Sequence, residues 1–429
     1  RPSAGKETIV YEYGGDIWAM DINGEEPRKL DISIGADALG ARSRMVNVKK
    51  HITGLGISPH GKRALIEARG EVFTVPRNNG PIYNLTQSSG AHDKDPAWSP
   101  DGKRVAYISD KSGEYEIHII DAQRGDETIQ LTDHDSGYRH TLRWSPDGRK
   151  IAFTDQTLTL YYLNVDTKEI VKVDKAKYES VDVPIDEKPI YDFRWSPDSR
   201  YLAYSKMAQN QMSQLFIYAL ETDQTHNVSQ NLFHDFHPVF TEDGDHLIFV
   251  SNRHFNPTFD DFEWEMVYKD VASLYALTLK KDGEPFLPFK NDQAVDSEDE
   301  STDDNAQVSI DFEGLSDRIE ALPLPRGNYR YLSVNDQSLF YLNKEDGDFN
   351  RFEFRDVKTM NLHAFDFDTR KERKIIESVE AYQLSEDGKS IAYRRGEEAG
   401  IVSSAATESK GHKLDLTDLE MTLEPRKEW

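Results

Sequence analysis

A short phrase that recurs along the chain constrains its fold more than any other feature. Its fullest form is Trp-Ser-Pro-Asp-Gly, and its first five Ser or Thr positions are 41, 46, 51 and 45 residues apart. This spacing is typical of a four-stranded propeller blade of about 40–50 residues. The strong copies begin at Trp98, Trp144 and Trp195, and the weaker ones at Ile57, Phe240 and Leu384.

The chemistry of the phrase is that of a tight turn between two strands. Pro fixes φ at the first central position, Asp accepts bonds from nearby backbone N–H groups, and Gly supplies a positive φ. Strands of alternating apolar residues follow the phrase, as in Val105-Ala106-Tyr107-Ile108. The sequence therefore predicts an all-β chain, and a ring of blades would remove most exposed sheet edges.

Counting the units predicts a seven-bladed β-propeller of four-stranded blades. A seventh, degenerate copy lies between 331–334 and 338–342, with Asn335-Asp336-Gln337 as its turn. The predicted blades are 46–86, 92–133, 138–174, 188–231, 234–325, 326–377 and 379–418.

Segments outside this repeat suggest a larger domain plan. Residues 7–34 read as the second to fourth strands of another blade, either the end of an upstream propeller or an eighth blade here. We prefer the upstream propeller, because 35–50 read as a connector. The predicted domains are 1–45, the end of an upstream propeller with its connector; 46–418, the propeller; and 419–429, the start of a downstream subdomain.

The unit 234–325 carries two inserts. Residues 253–270 are aromatic and acidic, and could either cover one mouth of the propeller or pack on their own blade. Residues 292–304 hold seven acidic and no basic residues, so like-charge repulsion should keep them solvated. Calcium binding is disfavoured there because the calcium-loop spacing with a central Gly is missing.

Composition narrows the function classes. The 77 acidic and 52 basic side chains give a net charge of −25, which disfavours nucleic acid as a ligand and favours solubility, basic peptides or cations. No apolar run reaches the ~20 residues of a membrane span. The absence of cysteine excludes disulfides and thiolate chemistry and leaves cytoplasm or periplasm open; we expect the cytoplasm. Since the chain starts at Arg1 with neither an initiator Met nor a signal peptide, we expect it to begin inside a longer protein.

No recognisable catalytic motif, metal site or cofactor site is present. Nucleophile elbows, zinc-binding His-Glu-x-x-His helices and Gly-rich phosphate loops are missing. His234 and His237 invite a metal interpretation, but a structural or pore-lining role suits them better.

The innermost strand of each blade holds the candidate binding residues. In a propeller this strand lines the central channel, so its mixed charges favour a polar, water-filled passage that binds substrate, although solvated strand ends would give the same pattern. The candidates are Asp93, Lys94, Asp95, Arg139, His140, Arg143, Tyr191, Asp192, Arg194, Asp235 and His237.

Several runs resemble the second propeller of tricorn proteases, and they cover nearly the whole chain. The run 69–76, Arg-Gly-Glu-Val-Phe-Thr-Val-Pro, discriminates best, because the turn phrase alone also suits TolB-like propellers. The other matching runs are 50–52, 58–68, 84–86, 95–102, 110–116, 310–315 with Arg318, 323–325, 414–416 and 425–429.

The resemblance implies a serine peptidase with two propellers, a PDZ-like domain and a catalytic core. It implies that the second propeller admits and filters peptides, that the catalytic Ser, His and Glu lie beyond residue 429, and that the protein forms a homo-oligomer. This chain alone would then hydrolyse nothing. The acidic segment 292–304 and the degenerate seventh turn depart from the family pattern.

Two other functions compete with this one. A TolB-like propeller would act as a non-enzymatic scaffold that binds a protein or peptide at one mouth. A propeller-fused peptidase of the prolyl-oligopeptidase kind would also need a domain that these 429 residues do not contain.

Overall fold

The computed structural model describes most of the chain. The described residues are 2–24, 26–32, 39–123, 125, 127–133, 137–178, 190, 192–229, 232–254, 257–259, 266–268, 270–290, 307–344 and 360–428, with backbone only for 257–259 and 266–268. The acidic segment 292–304 and Tyr191 lie outside these ranges.

Seven antiparallel sheets follow one another along the described chain, and we number them blades 1 to 7. In each blade the strands pair in sequence order, so the chain runs from an inner strand to an outer one. Blade 1 comprises Ile52–Ile57, Arg63–Ala68, Glu71–Pro76 and Tyr83–Asn84; blade 2, Asp93–Trp98, Arg104–Ser109, Glu116–Asp121 and Thr128–Gln130; blade 3, Arg139–Trp144, Lys150–Asp155, Thr159–Asn164 and Ile170–Lys175; blade 4, Arg194–Trp195, Tyr201–Met207, Ser213–Ala219 and Gln224–Asn227.

The remaining blades keep the order with two variations. Blade 7 has three strands, extended by a single bridge between Gly400 and Lys413. Blade 5 carries the aromatic insert 253–270, which includes a pair of short strands. Blade 5 comprises Asp235–Phe240, His246–Ser251, Ser273–Thr278 and Ile319–Ala321, with Pro257–Phe259 and Met266–Tyr268 in its insert; blade 6, Tyr329–Val334, Ser338–Asn343, Met360–Asp366 and Glu372–Val379; blade 7, Ala381–Leu384, Ser390–Arg395 and Glu398–Ser403.

The recurring phrase forms the predicted turn between the first two strands of a blade. In blade 2 the Ser99 hydroxyl donates to Asp101 at 2.6 Å and accepts from the backbone N–H of Arg104 at 2.9 Å. Gly102 has a φ of +73°, which favours glycine. The degenerate turn of blade 6 is confirmed as well: the side chain of Asn335 accepts from the backbone N–H of Ser338 at 2.8 Å.

Apolar clusters between neighbouring blades hold the ring together. Each of the seven clusters among the described residues joins two consecutive blades, and one of them joins blade 7 to blade 1 through Ile401, Ala392, Ile66 and Phe73. Side chains of the turns add polar links, since Trp144 Nε1 donates to the Ala97 carbonyl at 3.1 Å. A blade has two apolar faces, so only a closed ring buries both faces of every blade.

Two further sheets flank the ring. Arg44–Asn47 pairs with Glu420–Leu423, so the strands that precede and follow the ring are neighbours. Residues 3–29 form a separate four-stranded sheet, and none of the seven clusters includes any of its residues. The sequence predicts three strands there, and the structure adds a short first one. The strands of this sheet are Ser3–Ala4, Thr8–Tyr13, Asp16–Asp21 and Arg28–Lys29.

Helical structure is sparse. Within the described ranges, one short α-helix spans Pro425–Glu428, and 3-10 turns span Leu39–Ala41, Lys49–His51 and Leu315–Arg318. No helix in these ranges is long and apolar enough to cross a membrane.

Candidate functional site: the central channel

A polar cavity of about 590 Å³ lies where the first strands of the blades converge. Six of the seven blades contribute lining residues, and most of these lie two to four residues before the Ser, Thr or Asn of the turn. The lining comprises Thr53, Gly54, Leu55, Glu67, Asp95, Pro96, Ala97, Thr141, Leu142, Arg143, Arg194, Tyr331, Leu332, Ser333, Leu342, Glu380, Ala381, Tyr382, Gln383 and Leu384.

A repeated backbone irregularity shapes this cavity. In blades 2, 3, 5 and 6 the pairing of the first strand shifts by a bulge, at the position four residues before the turn residue. The residues at that position have φ near +50°: Asp95, Thr141, His237 and Tyr331. Such φ values are uncommon for residues other than glycine and cost about 1–3 kcal/mol each, and such residues cluster at binding sites. The bulges re-aim the inner strands at the place where they meet.

Side chains of one blade hold the bulges of the next. The backbone N–H of Asp95 donates to the Glu67 carboxylate of blade 1 at 2.8 Å, and that of His237 donates to the Asp192 carboxylate of blade 4 at 2.7 Å. Between blades 7 and 6, the Tyr382 hydroxyl donates to the Tyr331 carbonyl. Hydrogen bonds therefore join three pairs of neighbouring blades at the inner rim of the ring.

Five of the sequence candidates are buried in the ring: His237, described below, and four others. Asp93, Arg139, Asp192 and Asp235 are between 1% and 4% exposed. The Arg139 guanidinium lies 3.6 Å from the Glu116 carboxylate and donates to the Tyr115 and Gly137 carbonyls. The Asp235 carboxylate lies 3.4 Å from the Arg253 guanidinium. The Ser88 hydroxyl donates to the Asp93 carboxylate. These contacts give Asp93, Arg139 and Asp235 structural partners outside the cavity lining.

Three candidates, Asp95, Arg143 and Arg194, line the cavity itself. Lys94 lies beside them, with its ammonium 3.7 Å from Asp95 and 5.0 Å from the centre of the Tyr115 ring.

The two candidate histidines differ in their surroundings. His237 is 3% exposed and lies 5.0 Å from the Tyr331 ring. His140 is half-buried and stacks on Tyr138 at 6.4 Å. Within the described residues no group of three or more His, Cys, Asp or Glu side chains could hold a metal ion.

Charge is distributed unevenly around the cavity. The acidic side chains Glu67, Asp95 and Glu380 belong to blades 1, 2 and 7, and Glu380 pairs with Arg394 at 3.2 Å. Burial raises the pKa of both Glu67 and Asp95, and Lys94 opposes the shift at Asp95. The basic side chains Arg143 and Arg194 belong to blades 3 and 4. The cavity therefore has an acidic and a basic sector.

Sequence reasoning missed several lining residues. Glu67 comes from the second strand of blade 1 rather than the first, and Tyr382, Gln383 and Ser333 lie in blades whose turns are degenerate or weak. Counting back two to four residues from every turn residue, including Asn335, would have found the last three. No periodic signal marks Glu67.

A closed ring of antiparallel blades around a central polar cavity defines a β-propeller. A model of the tricorn protease second β-propeller domain matches residues 52–405 of the chain. The chain belongs to this family of tricorn second propellers.

Individual relatives are similar along the whole chain but are distant in sequence. A tricorn protease homolog from Streptomyces coelicolor is 25% identical over 98% of this chain and 41% of its own length, and a putative tricorn-like protease C-terminal subunit from Sulfurisphaera tokodaii is 24% identical over 98% of this chain and 46% of its own. A crystal structure of tricorn protease aligns with a TM-score of 0.74 at 15% identity, covering 97% of this chain and 39% of that one. The chain thus spans less than half the length of these proteins.

Proposed function

We propose that this chain is the substrate-admitting and filtering propeller of a tricorn-like serine peptidase that degrades peptides. The observation that carries the proposal is the polar cavity at the centre of the ring, to which six blades contribute. Its mixture of carboxylates, guanidinium groups and hydroxyls suits a peptide, which presents N–H donors, C=O acceptors and charges of both signs. The catalytic residues would lie on a part of the polypeptide outside these 429 residues.

The proposed domain plan keeps 1–45 as the end of an upstream propeller, 46–418 as this propeller and 419–429 as the start of a downstream subdomain. The pairing of Arg44–Asn47 with Glu420–Leu423 supports it, because the preceding and following domains would then attach side by side. Glu428 also accepts two hydrogen bonds from Arg69, at 3.0 and 2.9 Å, which fixes the direction of the tail. PDZ-like and catalytic domains of the same polypeptide are the proposed partners, in a cytoplasmic homo-oligomer.

A labelling experiment tests the channel, and the cysteine-free sequence makes it specific. Gln383→Cys places a single thiol on the cavity lining, whereas Gln123→Cys places one on an exposed turn of blade 2. Each variant is modified with a bulky maleimide, and binding of a fluorescent unstructured peptide to the chain is then measured by anisotropy.

We expect modification of Gln383→Cys to abolish peptide binding and modification of Gln123→Cys to leave it unchanged. Where the full-length polypeptide is available, hydrolysis of the same peptide should follow the same pattern. Equal peptide binding by the two modified variants would show that the cavity is not the route of the peptide.

A further inference from the structure

One arginine of the basic sector has a buried side-chain nitrogen without a hydrogen-bond partner among the described residues. Arg143 Nε is buried and has no hydrogen-bond partner, and no carboxylate in the described ranges lies within ion-pair distance of its guanidinium. Its nearest aromatic neighbour is Phe193, at 5.8 Å from the ring centre. A buried donor that the protein leaves unsatisfied calls for an external acceptor.

Neighbouring guanidinium groups add positive charge to this sector. Arg194 occupies the same place in blade 4 as Arg143 does in blade 3, two residues before the turn serine, and both line the cavity. Burial, with the positive charge of Arg194, lowers the pKa of Arg143. The pKa of His237 is lowered as well, mainly by burial and further by the positive charges of Arg330, Arg194 and Arg143. Three cations therefore act on one small region.

Two carboxylates near the cavity are already engaged in hydrogen bonds with other groups of the protein. Asp192 is the carboxylate that favours the charged form of Arg143, but its two oxygens already accept three hydrogen bonds from Ser205 and His237. On the far side of the cavity, Glu67 accepts from the Thr53 hydroxyl at 2.5 Å and from a backbone N–H. Asp192 and Glu67 are thus engaged by other donors, and Arg143 Nε keeps no hydrogen-bond partner among the described residues.

We propose that Arg143 and Arg194 form a binding site for a peptide carboxylate inside the channel. The site rests on the proposed function, since it names the chemical group of the substrate that the channel would recognise. The planar guanidinium matches a carboxylate with paired N–H donors, and such bonds strengthen where water is scarce. A C-terminal carboxylate and an Asp or Glu side chain share this chemistry.

The test compares three fluorescent peptides of one neutral sequence binding to the chain. The first has a free C-terminal carboxylate, the second a C-terminal amide, and the third an amide plus one internal Gln replaced by Glu. We expect the first to bind about tenfold or more tightly than the second, which is the effect of one hydrogen-bonded charge. If the third peptide binds as tightly as the first, the site also accepts side-chain carboxylates. If the third peptide binds as weakly as the second, the site accepts only C-terminal carboxylates. Either result supports the site.

Substitutions test whether the two arginines cause the preference for the carboxylate peptide. Arg143→Gln and Arg194→Gln should each reduce the preference for the carboxylate peptide, whereas Arg149→Gln, an exposed arginine of the same blade, should leave it unchanged. Arg143→Lys keeps the charge without the planar fork, so it should retain part of the preference and guards against a general folding defect. Circular-dichroism melting curves verify that each variant is folded.

The outcomes separate this site from the proposed function. If carboxylate and amide peptides bind the native chain equally well, or if both glutamine variants keep the preference, the carboxylate site is wrong while the peptide channel stands. If the native chain binds none of the three peptides, both proposals fail.

Discussion

The carboxylate of Asp192 should be one of the strongest polar contributors to the stability of the ring. It is 2% exposed and accepts three hydrogen bonds: from the backbone N–H of Ser205 at 2.9 Å, from the Ser205 hydroxyl at 2.6 Å and from the backbone N–H of His237 at 2.7 Å. The last bond joins blade 4 to the bulge of blade 5. Asp192→Ala removes the acceptor and leaves two buried backbone donors without a partner.

The magnitude follows from those two donors. Each buried N–H that loses its acceptor costs about 1–3 kcal/mol, so Asp192→Ala should lower the free energy of unfolding by about 4 kcal/mol. Asp192→Asn keeps one acceptor oxygen but turns an NH₂ group toward a donor, so its loss should be smaller, about 2 kcal/mol. Asp282→Ala, at an exposed turn of blade 5, should stay within about 0.5 kcal/mol of the native chain.

Urea unfolding followed by circular dichroism and tryptophan fluorescence measures these differences. The alanine variant should show a lower midpoint and the asparagine variant an intermediate one. A loss below about 1 kcal/mol for Asp192→Ala would refute the reasoning, because it would mean that the donors find other acceptors or that these hydrogen bonds contribute little. The same conclusion would follow if Asp192→Ala and Asp282→Ala behaved alike.

Two further predictions concern pH and the turn glycines. Burial raises the pKa of Glu71 to about 7, above its ordinary value of 4.5. The stabilising contribution of Glu71 is therefore complete below about pH 4.5 and is lost as the pH rises through about 7. Glu71→Gln should flatten this part of a plot of melting temperature against pH, and an unchanged slope would contradict the assignment. Gly61 and Gly102 have similar positive φ, but a Cβ at Gly61 would lie 2.3 Å from the Cβ of Ser390 in blade 7, whereas the nearest atom to one at Gly102 is at 3.6 Å. Gly61→Ala should therefore destabilise the chain by about 1–3 kcal/mol more than Gly102→Ala in urea unfolding, and equal losses would show that blade 7 yields without cost.

Much of the fold could be predicted from the sequence because its signal is local. The turn phrase carries its own chemistry, since the Ser hydroxyl, the Asp carboxylate and the Gly backbone form hydrogen bonds within five residues of each other. The strands on either side follow from alternating apolar residues. Even the degenerate turn at Asn335 keeps this local pattern, so all seven blades could be counted in advance.

The positions of the inner-strand side chains depended on long-range structure. Alternation predicts that every second residue faces the channel, but the bulges at Asp95, Thr141, His237 and Tyr331 interrupt the period of two. Asp93, Arg139, Asp192 and Asp235, all plausible channel residues by pattern, are buried in the ring. Asp93, Arg139 and Asp235 each lie two residues before one of these bulges.

The sequence by itself determined the number, order and turns of the blades, because these depend on contacts between residues close together in the chain. The tertiary structure alone decided which charges meet at the centre. Glu67 and Glu380 are more than 300 residues apart in sequence, and Arg143 and Arg194 belong to separate blades, yet all four border one cavity. Glu380 of blade 7 and Glu67 of blade 1 come together only because closure of the ring packs blade 7 on blade 1.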